Sequence, residues 1–181
     1  MSNHSARKIA FAGTVAALYA ALTVALAPIA YGPIQFRITE ALSVLPFFFP
    51  VAVPGLFIGC VIANLLSPYG LMDVVVGSAA SLLAALCTMQ IGRIGRGRVS
   101  AKVLACLPPV VFNAVFIGAM LAWFMVSDNQ ADVFLAAFLV SGAQVGLGQL
   151  TVLYAIGLPL LLYLPKAKVY DRLVRFYNGE Q

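Results

Sequence analysis

The chain has 181 residues, of which 62% are hydrophobic and only 9% charged, with a formal net charge of +5; an ordinary soluble domain is about 25% charged. Residues 9–36, 41–72, 103–127 and 133–165 contain no Asp, Glu, Lys or Arg, and about 20 apolar residues suffice for a helix to cross a bilayer. Soluble and nucleic-acid-binding classes are excluded, and residues 1–181 read as one membrane-embedded domain.

Ten of the eleven Lys and Arg residues fall in three clusters: Arg7-Lys8, Arg93 to Lys102, and Lys166 to Arg175. Cytoplasmic loops retain Lys and Arg, so the three clusters are expected on one side, with both termini cytoplasmic in a multi-pass cell-membrane protein. Arg37 is the exception. The crossings follow from this in chain order. Ile9–Tyr31 is the first. It is too long for the roughly 7–15-residue core of a signal peptide, and Pro28 follows the would-be cleavage site, so it reads as a retained helix. Its alanines recur every four residues, with Ala12, Ala16 and Ala20 on one face and Ala17 and Ala21 beside them. Such faces either pack within the bundle or dock another protein.

Two basic clusters on one side require an even number of crossings between them. With Ile9–Tyr31 and Asp73–Ile91 as two, residues 38–66 supply two more or none. Pro46, Pro50 and Pro54 each remove a backbone donor, and a break near Phe49-Pro50-Val51 predicts helices over 38–49 and 52–66. At about 1.5 Å per residue these reach roughly 18 and 22 Å, less than a full hydrocarbon core; a re-entrant hairpin is the alternative. Val103–Val126 then runs outward, Ser127-Asp128-Asn129-Gln130 turns outside, and Val133–Leu164 returns. The fold class is an all-α, six-helix transmembrane bundle. Tyr31, Tyr69 and Trp123 are expected at the outer interface and Tyr163 at the inner. Residues 166–178 alternate basic and apolar groups at helical spacing, which places them on the inner membrane surface or against a partner.

Polar residues at membrane depth are functional candidates by default. The richest segment is Tyr31 to Glu40, where Gly32-Pro33 sets a turn. Arg37 and Glu40, three apart, form either a local ion pair at a helix start or part of a ligand site with Gln35. Asn64 and Asp73 flank the 67–72 loop at the same level, and Asp73 also suits a helix N-terminus. Asn113, Gln144 and Gln149 lie mid-helix, where amides need each other or a polar ligand. Cys60, Cys87 and Cys106 lack metal-ligand spacing, and His4 sits in a polar tail. No phosphate-binding Gly-rich loop or nucleophile–base pairing is evident, so neither metal, cofactor nor enzymatic chemistry is expected in the chain.

At Tyr31–Pro46 (YGPIQFRITEALSVLP) the chain resembles the QueT family, substrate-binding S components of energy-coupling factor (ECF) importers for queuosine precursors. The likeness continues through Pro54–Cys60, Ala63–Leu65, Gly70–Asp73, Gly77-Ser78, Pro109–Ala114 and Gly157–Leu160, covering nearly the whole chain. The resemblance implies six helices and uptake of a 7-deazaguanine such as 7-aminomethyl-7-deazaguanine, or of queuine. It also implies a transmembrane coupling (T) subunit and two ATPase subunits that use the ATP. The first helix would dock through its Ala-x-x-x-Ala face, Ala16/Ala20 or Ala17/Ala21. Where the family is expected to carry Gly-Glu-Leu, this chain has Gly148-Gln149-Leu150, which bears on the exact ligand. A stand-alone secondary transporter or channel is the competing class. It would call for paired ionisable groups in the interior, and helices four to six have none beyond Asp73 at the edge.

Overall fold

The computed structural model describes residues 3–32, 34–95, 97–126 and 131–178, without the side chains of 3, 4, 131 and 132. The expectations for His4, Pro33, Arg96 and the 127–130 turn lie outside what is described. The elements in order are α1 (Asn3–Ala25), α2 (Ala27–Ala30), a 3-10 helix (Ile38–Phe47), α3 (Ala52–Asn64), α4 (Leu71–Gly95), α5 (Val99–Ala105), α6 (Leu107–Met125) and α7 (Ala131–Val152). A π turn (Leu153–Gly157), α8 (Leu158–Tyr163), a 3-10 turn (Leu164–Lys166) and α9 (Lys168–Asn178) complete them. The π turn precedes Pro159, which has no N–H to continue the α ladder. Four runs are long and apolar enough to cross a membrane: Ser5–Ala25, Leu71–Gly95, Val99–Met125 and Val133–Lys166. Ile38–Phe47 and Ala52–Asn64 are shorter apolar helices.

The proline-rich break falls where the sequence puts it, between Phe47 and Ala52. Its first limb is a 3-10 helix rather than α. Pro46 lacks a donor, and the Ser43 hydroxyl occupies the Glu40 carbonyl at 2.6 Å. The tighter coil rises about 2.0 Å per residue, so ten residues reach about 20 Å where an α-helix would reach about 15 Å. The limb crosses beside most of α4: Arg37 at its start meets Asp73, and Phe47 at its end lies against Gly92. It therefore does not turn back half-way.

Helix directions follow from the pairings. A Cβ at Gly55 or Gly59 would come within 2.5 and 2.8 Å of the Ala12 and Ala16 carbonyl oxygens, so α1 and α3 run parallel in close contact. Asn64 meets Asp73 and Cys60 meets Ser81, which makes α3 and α4 antiparallel. Gly118 abuts Gly142, and Ala114 lies against Gly146, so α6 and α7 are antiparallel too. Six segments alternate in direction, with α1, α3 and α5–α6 opposed to the 3-10 helix, α4 and α7–α8.

The alanine ladder is divided by this packing. Ala16 and Ala20 are buried and Ala12 is half-buried on the α3 side, whereas Ala17 and Ala21 face outward. Of the alanines expected at a docking face, Ala12 and Ala16 lie against Gly55 and Gly59 of α3 and Ala20 is buried, so Ala17 and Ala21 are the two left exposed. The amphipathic α9 turns Tyr170, Leu173, Val174 and Tyr177 onto the bundle. The Phe49 ring lies 5.8 Å from Tyr170 and 5.7 Å from Tyr177, while Lys168, Arg172 and Arg175 stay exposed. The end of the bundle that holds both termini is closed by these rings.

Two glycine substitutions test the α1–α3 contact. Gly59→Ala should lower stability by about 1–3 kcal/mol, the usual cost of overpacking, seen as a fall in Tm in detergent. Gly13→Ala, which meets nothing within 4 Å, should leave stability unchanged or raise it by up to about 1 kcal/mol of helix propensity, seen as an unchanged or higher Tm.

Candidate functional site

Seven of the eight polar residues singled out from sequence are almost fully buried: Gln35, Arg37, Glu40, Asn64, Asp73, Asn113 and Gln149. They come from six different segments. The loop before the 3-10 helix carries Gln35 with a left-handed φ of 50°, a conformation uncommon for a non-glycine residue and worth reading as a functional constraint. Glu40 lies in the first turn of the 3-10 helix, Asn64 ends α3 and Asp73 lies in the first turn of α4. Asn113 belongs to α6 and Gln149 to α7.

Arg37 does not pair with Glu40, as a local helix-start ion pair would require. Its Nη2 donates to Asp73 Oδ2 at 3.1 Å, both side chains being buried, and the Tyr31 ring covers the guanidinium with its centroid 5.0 Å away. Tyr31 itself is half-buried. Its hydroxyl donates to the Ala63 carbonyl at 2.7 Å, fastening the loop to the end of α3. Asn64 Nδ2 donates to the Asp73 carbonyl at 2.9 Å, joining α3 to α4. Glu40 is bound instead by α1, where the Tyr19 hydroxyl donates to Oε1 at 2.5 Å. One helical turn further, Thr23 and Thr39 share a hydrogen bond of 2.7 Å. Asn113 lies beside the Glu40 carboxylate, without closing a hydrogen bond to it. Gly148 is pressed against the Ile34 carbonyl, which brings the stretch of α7 that carries Gln149 against the loop that carries Gln35.

These contacts leave a set of buried atoms with no hydrogen-bond partner. The donors are Gln35 Nε2, Arg37 Nε and Asn113 Nδ2; the acceptors are Glu40 Oε2, Asn64 Oδ1, Asp73 Oδ1 and Gln149 Oε1; Ser78 Oγ can be either. Each buried polar atom left unpaired costs about 1–3 kcal/mol, and bilayer depth offers no water to relieve it. Unpaired donors and acceptors buried on neighbouring elements make these residues candidates for completing their bonds with a polar molecule. Gly77 packs closely against two of these residues: a Cβ there would stand 2.6 Å from Asn64 Nδ2 and 2.7 Å from Asp73 Oδ1. An apolar groove of about 410 Å³ between Met72, Val76, Phe116 and Phe134 contains none of these residues. Trp123 on its rim is largely exposed, as a lipid-facing groove would have it.

Gln144 is only half-buried and contributes no orphaned atom among those described. Sequence reasoning passed over Tyr19, Thr23, Ser78 and Ser81. The signal was present in α4, where Asp73, Gly77 and Ser81 repeat every four residues and put polar or small groups on one face. Tyr19 carried a weaker one, as the single aromatic residue between Ala12 and Ala25.

Comparison with known proteins identifies the family. The QueT transporter family matches residues 9–166. The curated "Queuosine precursor transporter QueT" of Lactococcus lactis subsp. cremoris (strain MG1363) is 45% identical over 71 residues, 38% of this chain and 41% of that relative. The matched part is thus less than half of the relative's length. No solved structure matches. With the family matched along nearly all of its apolar segments, the chain is a multi-pass membrane protein that belongs to the QueT transporter family.

Proposed function

We propose that the chain is the substrate-binding subunit of an ECF-type importer and takes up a queuosine precursor of the 7-deazaguanine class. The observation that carries this reading is the cluster of orphaned polar atoms, donors and acceptors interleaved, inside an apolar bundle. A flat heterocycle with N–H donors, ring nitrogens and a carbonyl can satisfy both kinds at once. A monovalent ion or a simple sugar matches that mixture less well. The likeness to the lactococcal transporter supports the substrate class. Uptake is driven by ATP hydrolysed on two partner ATPases, coupled through a transmembrane T subunit. The chain itself supplies recognition.

The site lies at the end of the bundle away from the termini, at the start of α4 and the end of α3. With the basic clusters cytoplasmic, it opens to the outside, where an importer must capture its substrate. The docking surface for the T subunit is the outward face of α1 with Ala17 and Ala21, whose small side chains allow close helix approach in lipid. The stand-alone transporter reading would need paired interior ionisable groups free to titrate, whereas Asp73 is held by Arg37 and Glu40 stands apart from them, bound to Tyr19.

Three measurements test this reading. Asn113→Ala should weaken binding of 7-aminomethyl-7-deazaguanine to the purified protein about 5- to 150-fold by calorimetry, the equivalent of about 1–3 kcal/mol for a lost buried bond. Ala17→Trp or Ala21→Trp should abolish uptake in cells while ligand binding to the isolated protein persists; joint loss of both would remove the docking role. In a variant cleared of native thiols, an impermeant maleimide added from outside should label Pro68→Cys and spare Arg98→Cys. Labelling of position 98 would overturn the orientation.

A further inference from the structure

The buried charges at the site do not balance. Arg37 is committed to Asp73 at 3.1 Å, and the guanidinium has no second ion pair among the described residues. Glu40 is 1% exposed and forms no ion pair among the described residues. Its Oε1 takes the neutral Tyr19 hydroxyl at 2.5 Å, a length typical of a hydroxyl donating to a carboxylate. Its Oε2 has no hydrogen-bond partner, and the neutral Asn113 amide is the polar group beside it. A carboxylate buried in this way is costly unless a positive charge reaches it.

The geometry points to Glu40 as the residue that selects a positively charged ligand, its free Oε2 receiving an ammonium group carried by the bound heterocycle. Tyr19 holds the carboxylate from the opposite oxygen and so fixes the direction in which Oε2 points. The other orphans, among them Gln35, Asn64, Asp73, Asn113 and Gln149, are left for the ring edges. Among ligands that share one ring, the site therefore prefers the aminomethyl form to a neutral form. This inference rests on the deazaguanine reading above and narrows it.

The test compares two probes with the same ring, 7-aminomethyl-7-deazaguanine and 7-cyano-7-deazaguanine, by calorimetry on purified protein at neutral pH. The protein should bind the amine on the order of 10- to 100-fold more tightly than the nitrile, as expected for a charged hydrogen bond in a desolvated site. Glu40→Gln keeps an acceptor for Tyr19 and removes the charge; it should abolish that preference while still binding the nitrile, which also reports an intact fold. Equal affinities in the native protein would overturn the assignment and leave the deazaguanine reading standing, as would a preference that survives Glu40→Gln. Failure to bind either probe would overturn both readings. If Glu40→Gln does not fold, the comparison in the native protein alone decides.

Discussion

The ion pair between Arg37 and Asp73 is the interaction on which the rest of the bundle depends. It ties the loop ahead of the 3-10 helix to the first turn of α4 at 3.1 Å, with both side chains buried. Removing one partner from such a pair costs about 3–5 kcal/mol, because the other is left as an uncompensated buried charge. The pair therefore pins where the 3-10 helix starts relative to α4. From that anchor the limb runs down to Gly92, α3 rises beside it, and Asn64 closes the ring on the Asp73 carbonyl. Tyr31 covers the guanidinium and bonds to the end of α3, so one cation organises three segments.

Around that anchor, the elements divide their faces between structure and ligand. α1 gives one side to α3 through backbone contacts at Gly55 and Gly59. On the same helix Tyr19 reaches Glu40. The 3-10 geometry serves both purposes, stretching ten residues across the bundle and placing Thr39 and Glu40 against α1. An α-helix of the same ten residues would fall short by about 5 Å.

Much of the architecture was legible because charge and proline are punctuation that survives any fold. Arg93 to Lys102 mark a turn between α4 and α5, and Pro50 and Pro54 mark the break before α3 within a few residues. Candidate site residues were legible for a similar reason, since a polar side chain in an apolar run has few places to go. Their partners were not. Arg37 and Asp73 are 36 positions apart, and Tyr19 and Glu40 are 21 apart, so only tertiary packing could choose between Glu40 and Asp73 for the arginine. The two faces of α1 were likewise ambiguous, because Ala16 and Ala17 are chemically alike and burial alone distinguishes them. The 3-10 coil was hidden too, as it depends on the Ser43 hydroxyl meeting a particular carbonyl.

The brevity of α3 has a consequence for the lipid around it. Its outward stripe, Ile58, Ile62, Leu65 and Leu66, is 45% to 66% exposed. A helix of 13 residues spans about 20 Å, against a hydrocarbon core of about 30 Å. Acyl chains on this flank must shorten or splay, at a cost of fractions of a kcal/mol per Å of mismatch, while the flanks beside α4 and α6 meet lipid at full thickness. The protein thus sits in the bilayer asymmetrically, with one strained side. Membrane thickness becomes a variable acting on it from that side alone, next to the helix whose register holds Asn64 over the site.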